Sequence, residues 1–239
     1  MLKDIIFKNT AKFSIKKPGT NKMLWFRPML VKEEKKLLIL QEMGSKQEII
    51  NSISEIIDEC FDEINAGSLP TYEFDYYFIQ LRTKSIGEEI NAKFICPDTS
   101  EKINLKINLN DIQIKGLEKF NTNVKINDTL VFTFRPPSYK DLKDLNEANL
   151  NYDTLIALTV KCLLSIQKQN EIIEVKEYPI SEIEDLISNM TSKEFEKIID
   201  FFDSIPTFSK DVSYKSSDGV DRKIVISGIE DFFMLASAI

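Results

Sequence analysis

The sequence predicts an α+β protein made of short β-hairpins and amphipathic helices, and three observations predict it. Apolar residues recur at helical spacing over several long stretches, and the period drops to two between them. Each alternating pair flanks a cluster of turn formers, such as "PGTN" or "PDTSEK". A run of strand, Phe-Arg-Pro and helix occurs twice, at 22–38 and at 129–145, so the chain reads as two related halves.

The elements follow in order. "KFSIKKPGTNKMLWFRP" reads as a hairpin of strands 12–16 and 22–27, and Pro28 ends the second because it has no N–H for a ladder. "VKEEKKLLILQEM" is a helix closed by Gly44, a residue suited to a left-handed cap. Ser45 and Glu48 form a capping box for the next helix, whose face of Ile49, Ile53, Ile56, Ile57, Cys60 and Ile64 carries it to "NAG". A third helix runs from about Leu69 to Gly87. On its wheel Phe74, Tyr77, Phe78 and Leu81 share a stripe, Gln80, Thr83 and Lys84 lie opposite, and Asp75 and Arg82 sit on one shoulder.

From Ile90 the pattern alternates on both sides of "PDTSEK", giving a hairpin. "NVKINDTLVFTFRPP" adds two short strands. Helical patterns return at 138–147 and 151–168, and Ser181 with Glu184, then Thr191 with Glu194, form two more capping boxes. "VSYKSSDGVDRKIVI" is a final hairpin before the apolar tail "IEDFFMLASAI". The expected halves are 1–120, with a hairpin, three helices and a hairpin, and 121–239, with strands, helices, the last hairpin and the tail.

Composition narrows the function. Hydrophobic content of 43% with 29% charged residues is that of a folded chain. A net charge of −7 argues against nucleic acid as a partner, since phosphate neutralisation needs a cationic field. No apolar run reaches the roughly 18 to 20 residues of a membrane span, and the first residues lack a signal-peptide core, so no membrane role and a cytoplasmic location are expected. Three dispersed cysteines do not suggest a disulfide framework.

Catalytic patterns are sparse. The chain has no histidine, which removes the commonest general base and most zinc chemistry. Its 7 glycines form no phosphate-binding cluster. Cys96 in "FICPDTSEK" stands at a hairpin tip without a second thiolate nearby, so four soft ligands cannot be assembled there. No catalytic residue, metal or cofactor is therefore expected. Arg27 and Arg135, each at a strand end before a helix, either pair with a nearby acid or buttress a junction against a partner. Asp75 and Arg82 are either an exposed pair that contributes little or a partly buried pair of the kind interfaces use.

Two segments, "FSIKKPGTNKMLWFRPMLVKEEKKLLIL" and "LPTYEFDYYFIQLRTKSIGEEI", resemble the baseplate protein family of large contractile-tailed bacteriophages of the T-even type. The resemblance rests on Phe26, Arg27, Pro28 and Lys32 to Lys35, then on Leu69, Pro70, Phe74, Asp75, Leu81, Arg82, Lys84, Ser85, Gly87 and Glu88; "SGIEDFF" at 227–233 agrees with it. Its members carry paired cysteines at the hairpin tips, whereas this chain keeps Cys96 alone, so a zinc role does not transfer. The resemblance implies a component or assembly factor of the central baseplate hub, acting by protein–protein interaction. Its partners would be tail hub proteins or further copies of itself, in the cytoplasm of the infected host or in the tail baseplate. It also implies that Asp75, Arg82 and Lys84 orient a tail-protein partner, with Arg27 and Arg135 at the junctions. A generic cytoplasmic adaptor without a virion role is the alternative, and a carboxylate enzyme using a divalent metal is a third reading.

Overall fold

The computed structural model describes residues 11–143, 151–229 and Asp231 of the chain. Strands β1 (Phe13–Lys16) and β2 (Met23–Phe26) precede helices α1 (Val31–Met43), α2 (Lys46–Cys60) and α3 (Thr71–Ser85). Five strands follow: β3 (Glu89–Ile95), β4 (Lys102–Asn108), β5 (Gln113–Lys115), β6 (Asn123–Lys125) and β7 (Leu130–Phe134). Helices α4 (Tyr139–Leu142) and α5 (Tyr152–Cys162) lead into β8 (Leu163–Lys168) and β9 (Glu171–Glu174). The described chain then closes with α6 (Ile180–Ser188), α7 (Ser192–Asp203), β10 (Thr207–Lys215) and β11 (Asp221–Ser227). Helices and small antiparallel sheets are intermixed, which is the α+β class. The helical pattern expected beyond residue 143 and the apolar tail from 232 lie outside the described residues.

Two compact units divide the chain. One holds the described residues up to Ala66, Tyr72–Lys115 and those from Thr207 onward; the other holds Gly67–Thr71 and Gly116–Pro206. The units thus run differently from the halves 1–120 and 121–239, because the last hairpin belongs with the first unit.

In the first unit, β1 and β2 pair with Phe13 opposite Phe26 and Lys16 opposite Met23. The period of two turns Leu24 and Phe26 inward and leaves Met23 and Trp25 exposed. Gly19, at φ +68°, supplies the left-handed residue of the turn. Helix α1 ends at Gly44, but that residue is extended (φ −83°, ψ 145°) and not left-handed. Glycine is needed there because a Cβ would lie 2.6 Å from the Leu40 carbonyl oxygen.

The Ser45 and Glu48 box forms as expected, with the Ser45 N–H donating to Glu48 Oε2 at 2.8 Å. Helix α2 buries Ile50, Ile53, Ile56, Ile57 and Cys60 and stops at Cys60, short of "NAG". Phe61 ends it by turning extended to make a β-bridge with Phe26, on which its ring stacks at 4.9 Å.

Helix α3 buries Phe74, Tyr77, Phe78 and Leu81 as the stripe predicts, yet Thr83 on the expected polar side is buried too. The Thr83 hydroxyl satisfies itself by donating to the Ile79 carbonyl at 2.7 Å. A helix covered on nearly every side has no free shoulder. The unit is completed by the β3–β4 hairpin and the sheet β11-β10-β5.

The second unit is the antiparallel sheet β6-β7-β8-β9 with a core shared by helices α5, α6 and α7. Phe132, Phe134 and Ile166 face this core with Leu158, Cys162, Ile198 and Phe201. The helix expected over 151–168 breaks after Cys162, and "LLSIQK" becomes β8. A short apolar run fits either state, and pairing with β7, Phe132 opposite Ile166, decides for strand. The Thr191 and Glu194 box forms at α7, whereas α6 begins at Ile180 behind Pro179 and uses no Ser181 box.

Candidate functional site

The two Phe-Arg-Pro junctions build the same device, once in each unit. At the end of β2 the Arg27 N–H donates to the Cys60 carbonyl at 3.0 Å, tying the strand to the last residue of α2. The guanidinium then grips Glu33 with two hydrogen bonds, 2.8 Å to Oε1 and 3.0 Å to Oε2, and donates to the Pro28 carbonyl at 3.0 Å. Glu33 also accepts from the Leu30 N–H, so it caps the start of α1. Leu30 has no side-chain oxygen to do this itself.

At the end of β7 the Arg135 N–H donates to the Cys162 carbonyl at 2.9 Å. Its guanidinium bonds Asp141 at 2.6 and 2.9 Å and donates to the Pro136 carbonyl at 3.3 Å. Asp141 accepts from the Ser138 N–H and hydroxyl, both at 2.7 Å, and caps α4. Arginine and acid are six positions apart in both junctions, and the residue after each cysteine, Phe61 or Leu163, pairs with the phenylalanine before each arginine. The repeat legible in sequence is therefore a repeat in geometry.

Electrostatics show how tightly the clasps close. Burial alone would raise the Glu33 pKa, but the Arg27 and Leu30 hydrogen bonds outweigh it and hold it at about 2. Asp141 is likewise kept at about 2, burial being overcome by Arg135 and Ser138. Beneath them, burial pushes the Cys60 and Cys162 thiols up to about 12. Because both carboxylates titrate lower in the folded chain, their stabilisation is complete above the ordinary values of 4.5 and 3.8 and is lost as pH falls towards 2. The urea midpoint should drop across that window, and drop less in a Glu33→Gln, Asp141→Asn variant.

The other three candidates lie on or beside α3. Asp75 is 4% and Arg82 9% exposed, so the shoulder is buried in the folded chain. Arg82 donates to the Gly87 carbonyl at 3.3 Å, and burial lowers its pKa. Lys84 is the member of this trio that keeps surface, in an ion pair with Glu88 at 3.7 Å.

Sequence reading missed a third cluster, where the tips of β3–β4 and β10–β11 meet. Cys96 Sγ lies 3.3 Å from the Tyr214 hydroxyl, and Phe94 meets the Tyr214 ring edge-on at 4.8 Å. Arg222 pairs with Asp98 and Asp218 at 2.7 Å each, and Ser217 N–H donates to Glu101 at 2.7 Å. Cys96 is itself buried, and hydrogen bonds from Thr99 and Tyr214 bring its thiol down to about 7. Among the described residues, no group of three or more metal-ligating side chains is placed to hold an ion.

Thiol chemistry separates the three cysteines. At pH 8 a thiol near 7 is mostly thiolate, whereas one near 12 is ionised in about one molecule in ten thousand. All three thiols are buried in the closed chain, so iodoacetamide should label Cys96 ahead of Cys60 and Cys162 when the hairpin tip opens. Peptide mapping of the labelled protein checks this.

Residues 9–234 match the protein family described as T4 bacteriophage base plate protein. No match is found among curated proteins or among solved structures.

Proposed function

We propose that this chain, which belongs to the T4 bacteriophage base plate protein family, is a component or assembly factor of the central hub of a contractile-tail baseplate. It works by protein–protein contact and not by catalysis. The observation that carries this reading is a family match that takes in both arginine junctions and both hairpin tips. The carboxylates held near 2 support the contact role, since Glu33, Asp141 and Asp218 are each engaged by an arginine. Clasps of this kind fix strand-to-helix angles, which suits a rigid part in an assembly.

Within this reading the five candidates divide. Arg27, Lys84 and Arg135 retain surface and can meet a partner, while Asp75 and Arg82 orient α3 from inside. Charges at such a rim steer and discriminate partners more than they add affinity. Retention of the full chain on immobilised tail hub proteins at low salt is the test. The native chain should be retained and Lys84→Glu retained less. Passage of the native chain without delay would remove the hub reading.

A further inference from the structure

The β3–β4 hairpin turns a basic face outward. Its period of two buries Ile90, Ala92, Leu105 and Ile107 and leaves Lys93, Ile95, Lys102 and Lys106 exposed on the opposite side. Lys93 pairs with Asn104, so its two diagonal neighbours across the hairpin are Lys102 and Lys106. Lys106 is held by Glu89 at 2.8 Å, but among the described residues neither Lys93 nor Lys102 has an ion-pair partner. Ile95, opposite Lys102, is 64% exposed beside them.

Helix α6 of the second unit is the complement of that face. Its 9 residues include Glu182, Glu184 and Asp185 and no basic residue. All three carboxylates are exposed, and among the described residues none of them is in an ion pair. The preceding base in the sequence, Lys176, already pairs with Glu174 at 4.0 Å. Ile183 and Ile187 turn into the core, while Glu182, Asp185 and Leu186, spaced three and four positions apart, share an outer face. Leu186 is 40% exposed there. Each surface is thus an exposed aliphatic side chain flanked by unpaired charges, and the two are of opposite sign.

We propose that the β3–β4 face of one copy of this chain docks on α6 of a second copy, with Ile95 against Leu186 and with Lys93 and Lys102 meeting Glu182 and Asp185. Because the two surfaces differ, the contact is heterologous. Each copy keeps one face free, and association continues head to tail into a ring or a chain. The net charge of −7 on each copy does not prevent it at physiological ionic strength, where charges further apart than about 8 Å are largely screened and the local signs decide. The inference goes beyond hub membership and does not depend on it: the chain can associate with itself and pass hub proteins without delay, or the reverse, so the two failures are distinguishable.

Sedimentation velocity of the full chain at about 0.15 M salt tests it. The average mass should rise with concentration, past that of a dimer, and fall again when salt is raised to about 1 M. Lys93→Glu with Lys102→Glu, and separately Glu182→Lys with Asp185→Lys, should each weaken self-association by about tenfold or more, since like charges then meet. An equimolar mixture of the two double variants should associate again, because opposite signs once more face each other. All four positions are exposed, and circular dichroism confirms that the variants fold. A native chain that stays monomeric at every concentration, an association that either double variant leaves unchanged, or a mixture that stays monomeric would overturn the proposal.

Discussion

Arg27→Met should lower the stability of the chain by about 3 kcal/mol, the lower end of what breaking a buried ion pair costs. The partner left behind is the reason. Glu33 is 4% exposed, and without the guanidinium it keeps the Leu30 N–H but loses both charge-assisted bonds. The arginine side chain itself is 22% exposed, so solvent reaches part of the pair and the upper end of the range does not apply. Arg27→Lys should fall between native and Met, because an ammonium keeps the charge and loses the bidentate fork. Arg135→Met should cost about 2 kcal/mol, less than Arg27→Met, since both Arg135 and Asp141 are more open to water. Urea denaturation of the four proteins ranks them; an Arg27→Met midpoint equal to native would show that the clasp does not hold the junction.

Phe134→Ala should cost about 3 to 5 kcal/mol, the range for deleting a buried aromatic ring. Its ring is 1% exposed, stacks on Phe201 at 4.9 Å, and lies 6.1 Å from Phe132 and 6.2 Å from Phe202. These ring neighbours come from β7 itself and from helix α7, and Leu163 of β8 pairs with Phe134, so the cavity has no single mobile side that can collapse into it. Trp25→Ala is the control: Trp25 is as large but 52% exposed, and its loss should stay within about 0.5 kcal/mol. A loss for Phe134→Ala no larger than that for Trp25→Ala would show that the second core is not organised around this ring.

How much of this was readable from sequence varied with the physics of each element. The first hairpin, α2 and α7 were legible because alternation in the one, and periodicity with a capping box in the others, point one way there. Leu163–Lys168 was not, since a run of apolar and polar residues after a helix carries both periods and only pairing with β7 chose strand. Helix α3 misled for a different reason. A wheel reports which residues are apolar, and it cannot report that the shoulder and part of the polar side are buried too, as happens at Asp75, Arg82 and Thr83. The arginines were found by their repeat, and their acids stood in view at the same six-residue spacing, Glu33 and Asp141. Tyr214 and Arg222 were invisible, because their roles depend on two hairpins more than a hundred residues apart in sequence coming together.

A chain whose strand-to-helix junctions are clasped by Arg27 with Glu33 and by Arg135 with Asp141 has the rigid parts that suit an assembly protein. The most direct test is quantitative mass spectrometry of this polypeptide in baseplate assembly intermediates from infected cells and in finished tails. The account predicts its presence at a fixed, small integer ratio to a hub protein in the intermediates, whether or not it stays in the finished tail. Absence from both the intermediates and the tails would contradict it.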